Sequence, residues 1–282
     1  MSAPTIPGTP APHTATGGSR THAGTTSGRV RSTLIWVGTN VLHLWPLALV
    51  VLVWDLWIVL NNYTALVAAR PWDAFADILT HPGEYLYDTW FTMMMSVGGL
   101  LLGTVVGSLC AILVWWSAAL SGIVTPAALI MRSVPISALI PIIARIFGYE
   151  SDSTVFVCIV IICFFPSFVF VLSGLVSIPA AGRDLFTVLG AGKAQVLMRL
   201  GLLHSVPNLM ISVRITAPIA VMAAILAEYL IGNHGLGEMF SYARSYQQWD
   251  RAWGTAVIAT VLSVAIFLSA RWCERKVTDR VT

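Results

Sequence analysis

The feature that most constrains this chain is a succession of apolar runs too long for a soluble core. Residues 154–176, TVFVCIVIICFFPSFVFVLSGLV, carry no charged side chain at all. A helix needs about 20 predominantly apolar residues to cross the roughly 30 Å hydrocarbon core of a bilayer. Further runs occupy residues 44–60, 89–116, 208–231 and 252–272, and a proline-interrupted one ends at Gly148. Together they predict an all-α integral membrane protein with six transmembrane helices. Composition agrees. The chain is 57% hydrophobic and 10% charged, with mean hydropathy +0.80, whereas soluble domains carry about 25% charged residues.

Residues 1–33 are rich in Pro, Gly, Thr, Ser and Ala and lack apolar periodicity. Such a segment buries too little surface to offset its ordering entropy, so a disordered tail is expected there, with the membrane domain over 34–282. The tail has no apolar core of the signal-peptide kind.

Basic residues orient the spans. With both termini on one side, that side holds Arg20, Arg29, Arg31, Arg183, Lys193, Arg199, Arg271, Arg275, Lys276 and Arg280. The other side holds Arg70, Arg145, Arg244 and Arg251, together with Asp73, Asp77, Glu84, Asp88, Glu150, Asp152, Glu238 and Asp250. The positive-inside rule therefore places both termini in the cytoplasm of a multi-pass protein of the inner or plasma membrane. A net charge of +3, so distributed, speaks for membrane orientation and against nucleic-acid binding.

One stretch is polar between membrane runs: Arg183 to Pro207, RDLFTVLGAGKAQVLMRLGLLHSVP. Two short helices are expected, 184–189 and 193–202, around a tight turn at Gly190-Ala191-Gly192. Leu185, Val188 and Leu189 recur at i, i+3, i+4, one apolar stripe. Such a hairpin is either a socket for a soluble partner or an interfacial helix pair with none. In the second span Gly99, Gly103 and Gly107 repeat every fourth residue, a double GxxxG that lets another helix backbone approach closely. Pro126, Pro135 and Pro141 interrupt residues 121–148. A short helix at the inner surface is expected before Pro135, a span after it, and Pro166 kinks the next.

Enzyme chemistry is not visible. The chain has no GxxxxGK[ST], HExxH or GxSxG. Its six His are dispersed, and Cys110, Cys158, Cys163 and Cys273 form no CxxC. The spans lack the paired carboxylates of an ion-coupled pump.

The ordered residues Arg132-Ser133-Val134-Pro135 with Ala138, Pro141 and Phe147-Gly148, then Pro166 with Gly174-Leu175, Gly190-Ala191, Pro207, Ala227-Glu228 and Gly235-Leu236-Gly237 carry a resemblance. From about Gly98 to Lys276 the chain resembles the permease subunits of ABC importers, in the nitrate/sulfonate/taurine subfamily. The resemblance implies a type I importer permease of MetI-like fold, six spans, paired with a second permease as homodimer or heterodimer. It also implies two copies of a cytoplasmic ATPase that carry ATP and magnesium, and an extracytoplasmic binding protein. That binding protein delivers a small solute, of the oxyanion, sulfonate or vitamin-precursor class. No cofactor or metal is expected in this chain itself. The stretch 183–207 then reads as the EAA coupling loop, with Asp184, Leu185, Phe186, Gly190, Ala191, Gly192, Lys193 and Pro207 facing the ATPase. Asp184-Leu185-Phe186 departs from the family's triplet in its two bulky residues, and Leu203 stands where a proline is usual. Arg132, Pro135, Pro141, Pro166 and Arg214 are candidates for the translocation path. An ATPase-independent scaffold or channel subunit is the competing expectation.

Overall fold

Apolar helical runs with no strand-like alternation fold into helices, and the computed structural model consists of helices throughout its described residues, 45–61, 63, 69–131 and 134–281. The chain forms two units, Met1–Val53 and Trp54–Thr282. The expected tail over 1–33, and Arg132, lie outside the described residues.

The helices are α1 (Trp45–Leu60), α2 (Pro71–Thr80), α3 (Pro82–Trp116), α4 (Ala118–Met131), α5 (Ile136–Phe147), α6 (Asp152–Val176), α7 (Ala180–Val188), α8 (Lys193–Val196), α9 (Leu202–Ile231), α10 (Leu236–Ser245) and α11 (Trp249–Val281). Among the described residues four stretches are long and apolar enough to cross a membrane: Pro82–Trp116, Asp152–Val176, Lys193–Ile231 and Trp249–Arg280. The other two expected spans correspond to shorter apolar helices, Leu49–Leu60 and Ile136–Phe147. At 1.5 Å per residue, 12 residues of α5 reach only about 18 Å. Pro135, exposed in extended backbone, starts α5 late, and Gly148 at φ 103° stops it.

Helix starts follow their prolines. Pro71 and Pro82 occupy the first positions of α2 and α3, where a missing N–H costs nothing. Proline also sits inside α5 (Pro141), α6 (Pro166) and α9 (Pro207 and Pro218).

Among the described residues α3 and α9 pack closely against α6, and α5, α10 and α11 add Ile140, Leu236 and Leu262 to the buried clusters. α3 lays Gly99, Gly103 and Gly107 against α6. A Cβ on Gly103 would fall 2.7 Å from both Cys163 Cβ and the Val160 carbonyl, and one on Gly107 would fall 2.6 Å from the Phe164 carbonyl. α9 crosses α6 as closely: a Cβ on Gly174 would lie 2.9 Å from Ser205 Cα. A row of buried hydroxyls threads the three helices. Ser212 Oγ donates to Ser167 Oγ at 3.3 Å, and Ser167 Oγ to Thr104 Oγ1 at 3.2 Å. Where lipid tails remove any hydrophobic drive between helices, small-residue packing and such bonds hold a bundle together.

Candidate functional site

The polar island folds as a hairpin at one end of the bundle. α7 buries none of its residues, and Leu185, Val188 and Leu189 are 57%, 85% and 71% exposed. Asp184 is also exposed and Phe186 half-buried. The stripe thus faces away from its own chain.

Gly190 turns the hairpin with φ 69°, and its Ala191 neighbour donates its N–H to the Phe186 carbonyl at 2.9 Å. A Cβ on Gly190 would meet no atom within 4 Å. The turn is therefore restricted by its left-handed backbone, not by lack of room. Gly192 N–H donates to Gln195 Oε1 at 3.1 Å and starts α8. Lys193 reaches back to α3. Its Nζ donates to the Trp116 carbonyl and lies 5.4 Å and 5.8 Å from the centres of the Trp115 and Trp116 rings. A cavity of about 390 Å³ lies there, lined by Trp115, Arg183, Thr187, Ala191, Lys193 and Val196.

The short helix expected over 193–202 and the span expected over 208–231 are continuous. From Lys193 to Ile231 the chain is one 39-residue helix, about 58 Å long at 1.5 Å per residue. A π-turn at Leu197–Gly201 bridges α8 and α9, and Pro207 lies inside α9. Proline removes one donor and crowds the carbonyl four residues back. In a packed membrane helix neighbouring groups and local widening absorb that, so Pro207 does not end the helix.

Arg214, one of the candidates for the path, pairs with Glu274 of α11. Nη1 stands 3.0 Å from Oε2, without hydrogen-bond alignment. Pro141 lies inside α5, Pro166 inside α6 and Arg214 inside α9.

At the opposite end of α9 a buried carboxylate organises the chain. Glu228 is 1% exposed. Its Oε2 accepts from Thr92 Oγ1 at 2.8 Å and from the Gly237 N–H at 3.0 Å. Thr92 Oγ1 accepts from the Leu236 N–H at 2.9 Å, and Asp88 Oδ1 from the Gly235 N–H at 3.0 Å. Three donors at the start of α10 are thus held by side chains of α3 and α9. The same end gathers Arg251 with Glu84 (2.9 Å) and Asp77 (3.6 Å), and Asn233 Nδ2, which donates to the Glu150 carbonyl at 2.9 Å. Burial, and after it the charge of Asp88, raises the Glu238 carboxyl above its ordinary range. From sequence, Ala227-Glu228 and Gly235-Leu236-Gly237 carry no assigned role, Asp88 is only one of the outer acids, and Thr92 is not singled out. The available signal was an acid closing an apolar run seven residues before a Gly-Leu-Gly.

The described residues thus form a helical membrane bundle with an exposed hairpin continuous with a spanning helix. The chain belongs to the family described as binding-protein-dependent transport system inner membrane components, whose model matches residues 103–279. It is a MetI-like ABC importer permease, a non-catalytic membrane subunit, with ATP hydrolysis left to a partner ATPase. Relatives include a probable ABC transporter permease protein of Haemophilus influenzae, 25% identical over 78% of this chain and 90% of that one. The formylaminopyrimidine transport permease protein ThiX of Halalkalibacterium halodurans is 33% identical over 60% and 65%. The putative aliphatic sulfonates transport permease protein SsuC of Bacillus subtilis is 25% identical over 69% and 70%. Two solved structures share the fold. The inward-facing MetNI methionine ABC transporter matches at TM-score 0.59 and 20% identity, over 69% of this chain and 94% of that one. An ABC transporter involved in import of the polysaccharide alginate matches at 0.61 and 14%, over 86% and 99%.

Proposed function

We propose that this chain forms the solute path of an ATP-driven importer and takes its energy through the 183–207 hairpin. The observation that carries the reading is the single helix from Lys193 to Ile231. It joins an exposed apolar stripe at one end to the membrane-spanning core, so a partner that grips Leu185, Val188 and Leu189 moves a span directly. Two copies of a soluble ATPase, with their ATP and magnesium, are the expected partners, and a second permease completes the path. The charge bias supports a cytoplasmic hairpin and cytoplasmic termini. The segments holding Asp77, Glu150, Asn233 and Arg251 meet at the other end, which suits delivery from an extracytoplasmic binding protein.

The solute is a small polar molecule of the class suggested by the relatives. A formylaminopyrimidine-type vitamin precursor is tested first and an alkanesulfonate second, in the order of their identity. The test is reconstitution in liposomes with the ATPase, sister permease and binding protein encoded alongside this chain. ATP-dependent uptake is expected, and Leu185→Asp with Val188→Asp should remove ATPase association while the chain still inserts. Uptake without ATP, or an ATPase that stays bound to the double variant, sinks the reading.

A further inference from the structure

The carboxylate at the far end of α9 has no part in catalysis and no ion-pair partner among the described residues, yet it sits where three helices meet. Its Oε2 takes two hydrogen bonds and its Oε1 none. The loop around it is built to its shape. Gly235 holds φ 100°, and a Cβ there would fall 2.5 Å from the Glu228 carboxylate. A Cβ on Gly237 would fall 2.6 Å from Glu228 Cβ. α10 therefore cannot shift against Glu228 without breaking buried hydrogen bonds. A buried donor or acceptor left without its partner is costly.

The other face of α10 borders a second cavity, of about 340 Å³. Ser241, Tyr242 and Ser245 of α10 line it together with Tyr149 and Glu150 of the turn before α6 and with Glu228 itself. The width of this cavity depends on where α10 stands, and α10 stands where Glu228 holds it.

We propose that Glu228 is a positioning residue that converts movement of the 193–231 helix into movement of α10, and so sets the opening of the cavity between α10 and the 149–150 turn. This rests on the reading that the hairpin end of the same helix is driven by an ATPase. A stroke delivered at Leu185 or Val188 then arrives, through one helix, as a displacement of a wall at the other end. Thr92 shares the work, since it donates to Glu228 and accepts from Leu236.

The test uses the reconstituted complex with its ATPase, sister permease and binding protein. Spin labels go on Ser245→Cys in α10 and Asp152→Cys at the start of α6, with Cys273→Ser to remove the exposed native thiol. Nucleotide should change the label distance by several ångströms when Glu228 is present. Glu228→Ala should abolish that change and lower uptake at least tenfold while ATP hydrolysis keeps at least half its rate. Glu228→Gln, whose amide oxygen accepts the same two bonds, should keep both readouts within threefold. If Glu228→Ala does not assemble, the near-isosteric Thr92→Val carries the test, with uptake per ATP expected to fall threefold to tenfold. Parallel loss of uptake and hydrolysis, or a distance change that survives in Glu228→Ala or Thr92→Val, overturns the proposal. Absence of ATP-dependent uptake in the unsubstituted complex instead overturns the transport reading beneath it.

Discussion

The ammonium of Lys193 donates to the backbone carbonyl of Trp116, the last residue of α3. The last carbonyls of a helix have no partner within it and gather its negative dipole end. Lys193 satisfies one of them and also lies near the faces of Trp115 and Trp116. The hairpin is thus tied to two helices: covalently to α9, and through one lysine to α3.

Lys193→Met should leave insertion and assembly intact, because the side chain is exposed. It should loosen the hairpin by about 1 kcal/mol, the size of an exposed cation–π contact. Roughly a fivefold loss of transport per ATP is expected. Lys193→Arg should recover most of it. The two variants are compared by uptake and phosphate release in the same liposomes.

Gly190 separates backbone strain from crowding. Gly190→Ala places an L-residue at φ 69°, which costs roughly 1–2 kcal/mol. Gly190→Asn should cost less, since asparagine tolerates this region. Gly190→Trp carries the same backbone strain, and its Cβ meets nothing within 4 Å. Its effect should fall on the partner, as lost ATPase binding and transport. Thermal unfolding in detergent and ATPase pull-down separate the two effects.

Gly103 is crowded in a way that Gly190 is not. Gly103→Ala brings a methyl to 2.7 Å from Cys163 Cβ and a backbone carbonyl. Overpacking of this kind costs about 1–3 kcal/mol. Gly103→Leu should exceed that and prevent assembly. A fall in the detergent melting temperature for Ala, and an aggregated or proteolysed product for Leu, are the expected readouts. Unchanged melting in both would remove the seam.

Arg214 and Glu274 form a testable pair. Arg214 is about a third exposed, so solvent screening limits the pair to about 1 kcal/mol or less. Arg214→Ala and Glu274→Ala should each lower stability, and the double variant should cost less than their sum. If Arg214 instead serves the solute directly, Glu274→Ala will leave uptake affinity unchanged while Arg214→Ala weakens it severalfold. A double-mutant cycle on melting temperature, read beside uptake KM, decides.

Membrane character was legible because a long apolar run is a local signal. The stripe Leu185, Val188, Leu189 and the glycines 99, 103 and 107 were legible as periodicities too. Which helix the glycines met was not, since nothing near Gly103 in sequence names Cys163. The continuity of 193–202 with 208–231 was not legible, because Pro207 lies between them; packing and the π-turn at 197–201 carry the helix past it. The Glu228 cluster was invisible as a cluster because it joins residues 88, 92, 228 and 235–237 across three helices.

The glycine seam also imposes an order on biogenesis. Gly103 and Cys163 are separated by 60 residues of chain, so their contact cannot exist until α6 has been made. At about 5–20 residues per second, α3 waits roughly 3–12 s with its grooved face uncovered. During that interval the insertion machinery or lipid must fill the groove. Slowing translation between α3 and α6 should therefore expose the nascent permease to membrane proteases, in proportion to the delay.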